Sequence, residues 1–132
     1  MSNSDSTSLD HSIIYQKSID VFKLSRSVAS YITDDKDVIS MYRSGMKSDN
    51  YADNLVMNAF RLVQKVVETE TQESPTKKLK YAKSLQFFIE VIYQDCLKLE
   101  RTKIRGKDFV RLLRKELKSL QKIHRLYVSS LL

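Results

Sequence analysis

Apolar residues recur every three to four positions along most of this chain, which is the spacing of amphipathic helices. Ile14, Val21 and Val28 repeat every seven residues, with Tyr15, Ile19, Phe22 and Ala29 beside them. That pattern predicts a first helix over residues 12–32, with Asp10 or Ser12 as its cap. Thr33, Asp34 and Asp35 break it, because three cap-favouring side chains in a row compete for backbone hydrogen bonds. Residues 36–50 are the least regular. Val38, Ile39, Met41, Tyr42 and Met46 are spaced for a short helix that Gly45 would close, or the segment runs directly into the next helix. Asp49 or Asn50 can cap a second helix over residues 51–70. In it Ala52, Leu55, Val56, Ala59, Phe60, Leu62, Val63, Val66 and Val67 cover more than half the circumference. Asn54, Asn58, Arg61, Lys65 and Glu68 take the remaining strip, so this helix is expected to be the most buried.

The polar stretch 69–76 holds the single proline and predicts a loop. A third helix follows over residues 75–102, with Pro75 or Thr76 in its first turn. Its core stripe is Ala82, Leu85, Ile89, Ile92, Cys96 and Leu99, flanked by Tyr81, Phe88 and Tyr93. Arg105, Gly106 and Lys107 make the last turn, and Asp108 caps or opens a fourth helix. There Phe109, Leu113, Leu117, Leu120, Ile123, Tyr127 and Leu131 lie within an arc of about 120°.

Four amphipathic helices with short links predict an all-α fold, an antiparallel up-down four-helix bundle. Two glycines and one proline would starve an all-β chain of turns, whereas a bundle needs few. The 132 residues make one domain over 12–132, behind a Ser/Asp-rich leader, 1–11, that lacks apolar periodicity and is expected to be disordered. Leu79, Phe87, Val91 and Leu97 fall outside the stripe of the third helix. Phe87 lies about 160° from the centre line of Leu85. Such a surplus predicts assembly into a homo-oligomer through these four residues, or coverage by another protein.

Charge sharpens this outline. The net charge is +7, yet residues 76–132 carry 15 Lys/Arg against 5 Asp/Glu, while residues 1–75 carry 8 against 11. With Arg111 at zero on the helical wheel, Lys118, Lys122 and Lys115 lie at about −20°, +20° and +40°, and Arg125 and Arg114 at about −40° and −60°. Six cations along about 20 Å of rod fit a polyphosphate backbone better than a small molecule. Glu116 is the sole acid from Arg111 to the last residue, and it falls on the apolar side. The competing reading is a solvated face that keeps a small protein soluble. Lys77, Lys78, Lys80 and Lys83, with Tyr81 interleaved, form a second cluster that an antiparallel bundle brings near Lys122 and Arg125. Lys98, Arg101, Lys103, Arg105 and Lys107 form a third, beside Arg111. Together they would make one basic surface for RNA or DNA, read through phosphates with little base recognition. Tyr81 and Tyr127 could stack on unpaired bases, although packing at the core edge is the simpler fate for each. A protein-only module whose basic face docks an acidic partner is the alternative.

No catalytic constellation stands out, so no enzymatic activity and no cofactor are expected. One cysteine and two histidines cannot build a standard structural zinc site, and no other metal site is expected. His11 lies in the leader. His124, on the apolar seam, reads as a bundle histidine hydrogen-bonded across helices, and Cys96 as a packing residue. Glu116 also sits toward the seam and would need a cationic or donor partner on a neighbouring helix or a second subunit. The Glu-x-x-His spacing of di-iron bundles is missing, since Glu100 precedes Lys103 and Glu90 precedes Tyr93. No signal peptide or membrane-length apolar run is evident, so the expected compartment is the cytoplasm and no membrane partner is expected.

The segments Val21–Ile32, Asn54–Glu68, Ala82–Glu100 and Leu112–Leu132 resemble, in order, the four helices of a bacterial four-helix-bundle family. Its members include proteins encoded in intervening sequences of large-subunit ribosomal RNA genes and the accessory variability determinant of diversity-generating retroelements. The resemblance implies a homopentameric barrel with a basic exterior. It also implies an accessory role: binding RNA and scaffolding a reverse transcriptase or another protein. On that basis Arg111, Arg114, Lys115, Lys118, Lys122 and Arg125 are the natural RNA-facing positions.

Overall fold

The computed structural model describes residues 12–33, 47–102 and 104–132, and these form helices without strands. The helices are α1 (Ile13–Thr33), α2 (Lys47–Glu70), α3 (Pro75–Glu100) and α4 (Lys107–Leu131). Their ends follow local chemistry. Ser12 caps α1, its hydroxyl accepting from the Tyr15 backbone N–H at 3.3 Å. Thr33 remains within α1 because its hydroxyl donates to the Ala29 carbonyl at 2.9 Å. Ser74 caps α3 through the Lys77 N–H at 3.4 Å, with Pro75 at the first helical position, where its missing N–H costs nothing.

One start was read too late in the sequence. The second helix begins at Lys47 rather than near residue 51, so Asp49 lies in its first turn and not at its cap. An acidic side chain there complements the helix dipole, which is why the same residue type reads as either a cap or a first-turn acid. Most of the segment read as a short helix over residues 36–50 lies outside the described residues, as does the leader.

Each helix packs on two neighbours, α1 and α3 each lying against α2 and α4. The ring closes on one core that takes one face from each helix. Ile14, Val21 and Val28 come from α1, and Leu55, Ala59, Leu62 and Val66 from α2. Leu85, Ile89, Ile92, Cys96 and Leu99 come from α3, and Val110, Leu113, Leu117 and Leu120 from α4. The core stripe of α3 is the one its sequence spacing predicts. On α2 the broad apolar arc is not wholly covered. Phe60 is about half exposed and rests on Phe22 of α1, with ring centroids 5.7 Å apart.

Two tethers hold the ends. Glu70, the last residue of α2, accepts from the Ser12 hydroxyl at the start of α1 and lies 3.7 Å from Lys78 Nζ in the first turn of α3. Elsewhere, Tyr31 near the end of α1 packs on Phe109 at the start of α4, with centroids 5.0 Å apart. Gly106 makes that contact possible. Its φ of +84° is left-handed, and a Cβ there would lie 2.5 Å from the Tyr31 ring. Gly106→Ala is therefore expected to destabilise the fold by about 1–3 kcal/mol, backbone strain and the displaced tyrosine acting together. Urea denaturation measures it, and an unchanged midpoint would mean that the linker bends elsewhere.

Candidate nucleic-acid interface

Burial turns α4 slightly from the orientation its sequence suggests. The residues it buries are Val110, Leu113, Leu117, Leu120 and His124. Their centre lies at about 220° on the wheel that has Arg111 at zero, whereas the apolar arc read from sequence centres near 180°. Phe109, on that arc, is consequently half exposed. The outward direction becomes about 40°, where Lys115 sits, with Lys122 and Lys118 close to it.

The same rotation gives the flanking charges partners. Arg114 turns toward α3 and donates to Glu100 Oε1 at 3.0 Å. Arg111 Nε lies 3.8 Å from the same oxygen, and its Nη1 donates to Asp108 at 2.8 Å. On the other flank Glu116 turns toward α1 and is ion-paired to Lys17. The expected cationic stripe thus divides. Arg111 and Arg114 are engaged by carboxylates of their own chain. Lys115, Lys118, Lys122 and Arg125 are exposed and make no ion pair among the described residues.

The start of α3 divides likewise. Lys78 is drawn to Glu70, a correction to its place in the basic cluster, while Lys77, Lys80 and Lys83 are exposed and unpaired among the described residues. Arg101 and Arg105 are exposed in the link between α3 and α4, and Lys103 lies outside the described residues. His124 fixes the relation between the two basic helices. Its ring Nε2 lies 2.7 Å from the Ala82 carbonyl, which can only accept, so this nitrogen carries the proton and donates. The bond brings the start of α3 beside the end of α4, and with it Lys80 and Lys83 to the end of the molecule that holds Lys122 and Arg125.

The residues read as an oligomer seam do not share one fate. Phe87 is 67% exposed, but Leu79, Val91 and Leu97 are half-buried. Tyr81 is exposed, whereas Tyr127 lies beside Glu70, its phenol pushed up by burial and then by that carboxylate. Sequence reasoning missed two exposed residues, Ile13 and Leu126, which line a groove of about 530 Å³ between the start of α1 and the end of α4. Leu126 falls at about 60° on the wheel, so its exposure was legible there.

The remaining reactive side chains are enclosed. Burial pushes the Cys96 thiol up to about 12, with Asp95 and Glu100 adding to the effect, so the thiol stays protonated within the core. Among the described residues no group of three His, Cys, Asp or Glu could hold a metal ion, and no helix is long and apolar enough to cross a membrane. Compared with protein-family models, with curated proteins and with solved structures, the chain finds no match.

Asp95 is the one strongly buried carboxylate among those with a raised pKa. It is 4% exposed, accepts from Asn58 on α2 at 2.7 Å, and is held above its ordinary 3.8 by desolvation, against the opposing pull of Asn58 and Lys98. Below pH 3.8 the group is protonated whether folded or unfolded. As the pH rises above that value the unfolded chain releases its proton first, so stability falls until the folded group has ionised too. Asp95→Asn keeps an acceptor for Asn58 and removes this dependence. In urea titrations the variant should gain on the parent chain between pH 3.8 and neutrality, whereas parallel pH profiles would refute the assignment.

Proposed function

We propose that this chain is an antiparallel, up-down-up-down four-helix bundle that binds RNA or DNA through phosphate contacts and carries out no chemistry of its own. The antiparallel course is supported by the residues that meet: Ser12 with Glu70, Lys78 with Glu70, Glu100 with Arg114, and Tyr31 with Phe109. The observation that carries the binding reading is the row Lys115, Lys118, Lys122 and Arg125 on the outward face of α4, which makes no ion pair among the described residues. Lys77, Lys80 and Lys83 on the adjacent helix extend it.

Spacing supports a linear polyanion. Lys115 to Arg125 spans about 15 Å of helix, and like charges three and four residues apart destabilise that helix by about 0.2–0.5 kcal/mol per pair. A face serving solubility alone would mix the two signs and avoid that cost. A uniform row of ammonium groups releases counterions from a phosphate backbone and gives affinity with little base readout.

Binding of a labelled oligonucleotide, followed by anisotropy across salt concentrations, tests this. Each phosphate neutralised contributes about 0.7–0.9 to the log–log slope. The combined substitution Lys115→Glu, Lys118→Glu and Lys122→Glu should lower the slope by roughly 2–3 and weaken binding for every sequence tried. Binding that ignores salt, or a triple variant that binds as the parent does, would remove the reading. Stronger competition by an acidic polypeptide than by nucleic acid would transfer the surface to a protein partner.

A further inference from the structure

The first half of α3 adds something that phosphate contacts do not require. Phe87 is 67% exposed and Tyr81 37% exposed; Tyr81 stands among Lys77, Lys80 and Lys83, and Phe87 follows one turn after Lys83. A single exposed phenylalanine means little, since folded proteins show many apolar atoms to water. Here the ring is also held in place. Its neighbour Phe88 packs against the core, and the two rings meet edge-on, with centroids 5.4 Å apart and planes at 86°. Beside them, between α2 and α3, runs a groove of about 340 Å³ lined by Tyr81, Ser84 and Phe88 of α3 and by Lys65, Glu68 and Thr69 of α2, where the Glu68 carboxylate is paired with Lys65 at 3.1 Å. Lys83 stands one helical turn before Phe87 and Lys80 two turns before it, each on the same outward face.

We propose that this face binds single-stranded nucleic acid, with one unpaired base stacked on Phe87, a base farther along the strand over Tyr81, and the intervening phosphates on Lys80 and Lys83. This rests on the polyanion reading and narrows it from nucleic acid in general to unpaired strands. The strand source follows from the chemistry. In a duplex the faces of the bases are already covered by their neighbours, so a rigid ring on a helix has no partner there. An unpaired strand offers a π-face at every nucleotide, and stacking on an aromatic side chain suits any base. Charge sets the direction. Glu90, three residues beyond Phe87, is held by the Gln94 amide at 2.9 Å rather than by a cation, and Lys98 leans over the Tyr51 ring of α2 at 6.0 Å. Phosphates are therefore drawn toward the start of α3, where the unpaired lysines stand.

The chain contains no tryptophan, so Phe87→Trp installs a single emitter at the proposed stack. A 12-nucleotide oligothymidine should quench its fluorescence, while a blunt duplex of equal length should not. In anisotropy titrations Phe87→Ala should weaken oligothymidine binding about 5- to 150-fold and leave duplex binding within twofold. The aromatic variant Phe87→Tyr should retain most of the parent affinity. Phe87 is largely outside the core, so circular dichroism of the alanine variant should match the parent. Oligothymidine affinity unchanged in Phe87→Ala, with its salt slope intact, would overturn the stacking proposal and leave the phosphate reading standing. Failure of the parent chain to bind either oligonucleotide would overturn both. An assembly that Phe87→Ala dissociates to 15.4 kDa in light scattering, with no quenching in Phe87→Trp, would make the ring a contact between copies instead.

Discussion

Glu100 stands at the end of α3 with two guanidinium groups on one of its oxygens, and this contact decides what the surface of the bundle can do. The region from residue 76 onward has few carboxylates, and most of them are committed inside the chain. Asp95 is buried against Asn58, Glu100 and Asp108 take Arg111 and Arg114, and Glu116 takes Lys17. Among the described residues Glu90 has no cation beside it and is met by the Gln94 amide. The acids hold the helices together at their margins, and the cations between those margins are left to water.

Much of this was legible as pattern. A period of 3.6 picks out the apolar core stripe of α3, because Leu85, Ile89, Ile92, Cys96 and Leu99 are all apolar, but it passes over Asp95, which is buried beside them against Asn58. On α4 the pattern is ambiguous. Phe109, Leu112, Val110 and Leu126 widen the apolar arc beyond what one helix can bury, so rotation about the axis is set by neighbours and not by the sequence of α4. The apolar faces of α1 and α3 select which of these residues are covered, and Glu100 on one flank and Lys17 on the other pair with the charges so placed; neither partner is visible within the fourth helix itself. The start of α2 was misjudged for a similar reason. Asp49 suits both a cap and a first turn, and only the backbone decides between them.

The histidine shows how far local reading goes. That His124 belongs to the seam follows from its place on the wheel; that it bonds to a backbone carbonyl on α3 does not, since the Ala82 carbonyl is already part of a helix and carries no sequence signal. A carbonyl oxygen has two lone pairs, so it can accept from His124 without giving up its helical bond. This bond joins the start of α3 to the end of α4, while the Glu100–Arg114 pair joins their other ends, so at the His124 end Lys80, Lys83, Lys122 and Arg125 turn outward with no ion pair among the described residues.

A bundle with this distribution works against itself electrostatically. Repulsion along α4 and between α3 and α4 favours separation of those two helices, weakly at physiological salt, where screening acts over about 8 Å. What opposes it is not on the surface. Leu113, Leu117 and Leu120 are fully buried in the core that also holds Leu85, Ile89 and Ile92, and loss of one such leucine costs about 2–5 kcal/mol, several times the repulsion of a like-charged pair. The apolar half of each helix thus carries the stability, and the outer half is free to be unfavourable in isolation. A phosphate backbone laid along that half would relieve the repulsion while touching none of the core, so binding would stabilise the bundle without changing its shape.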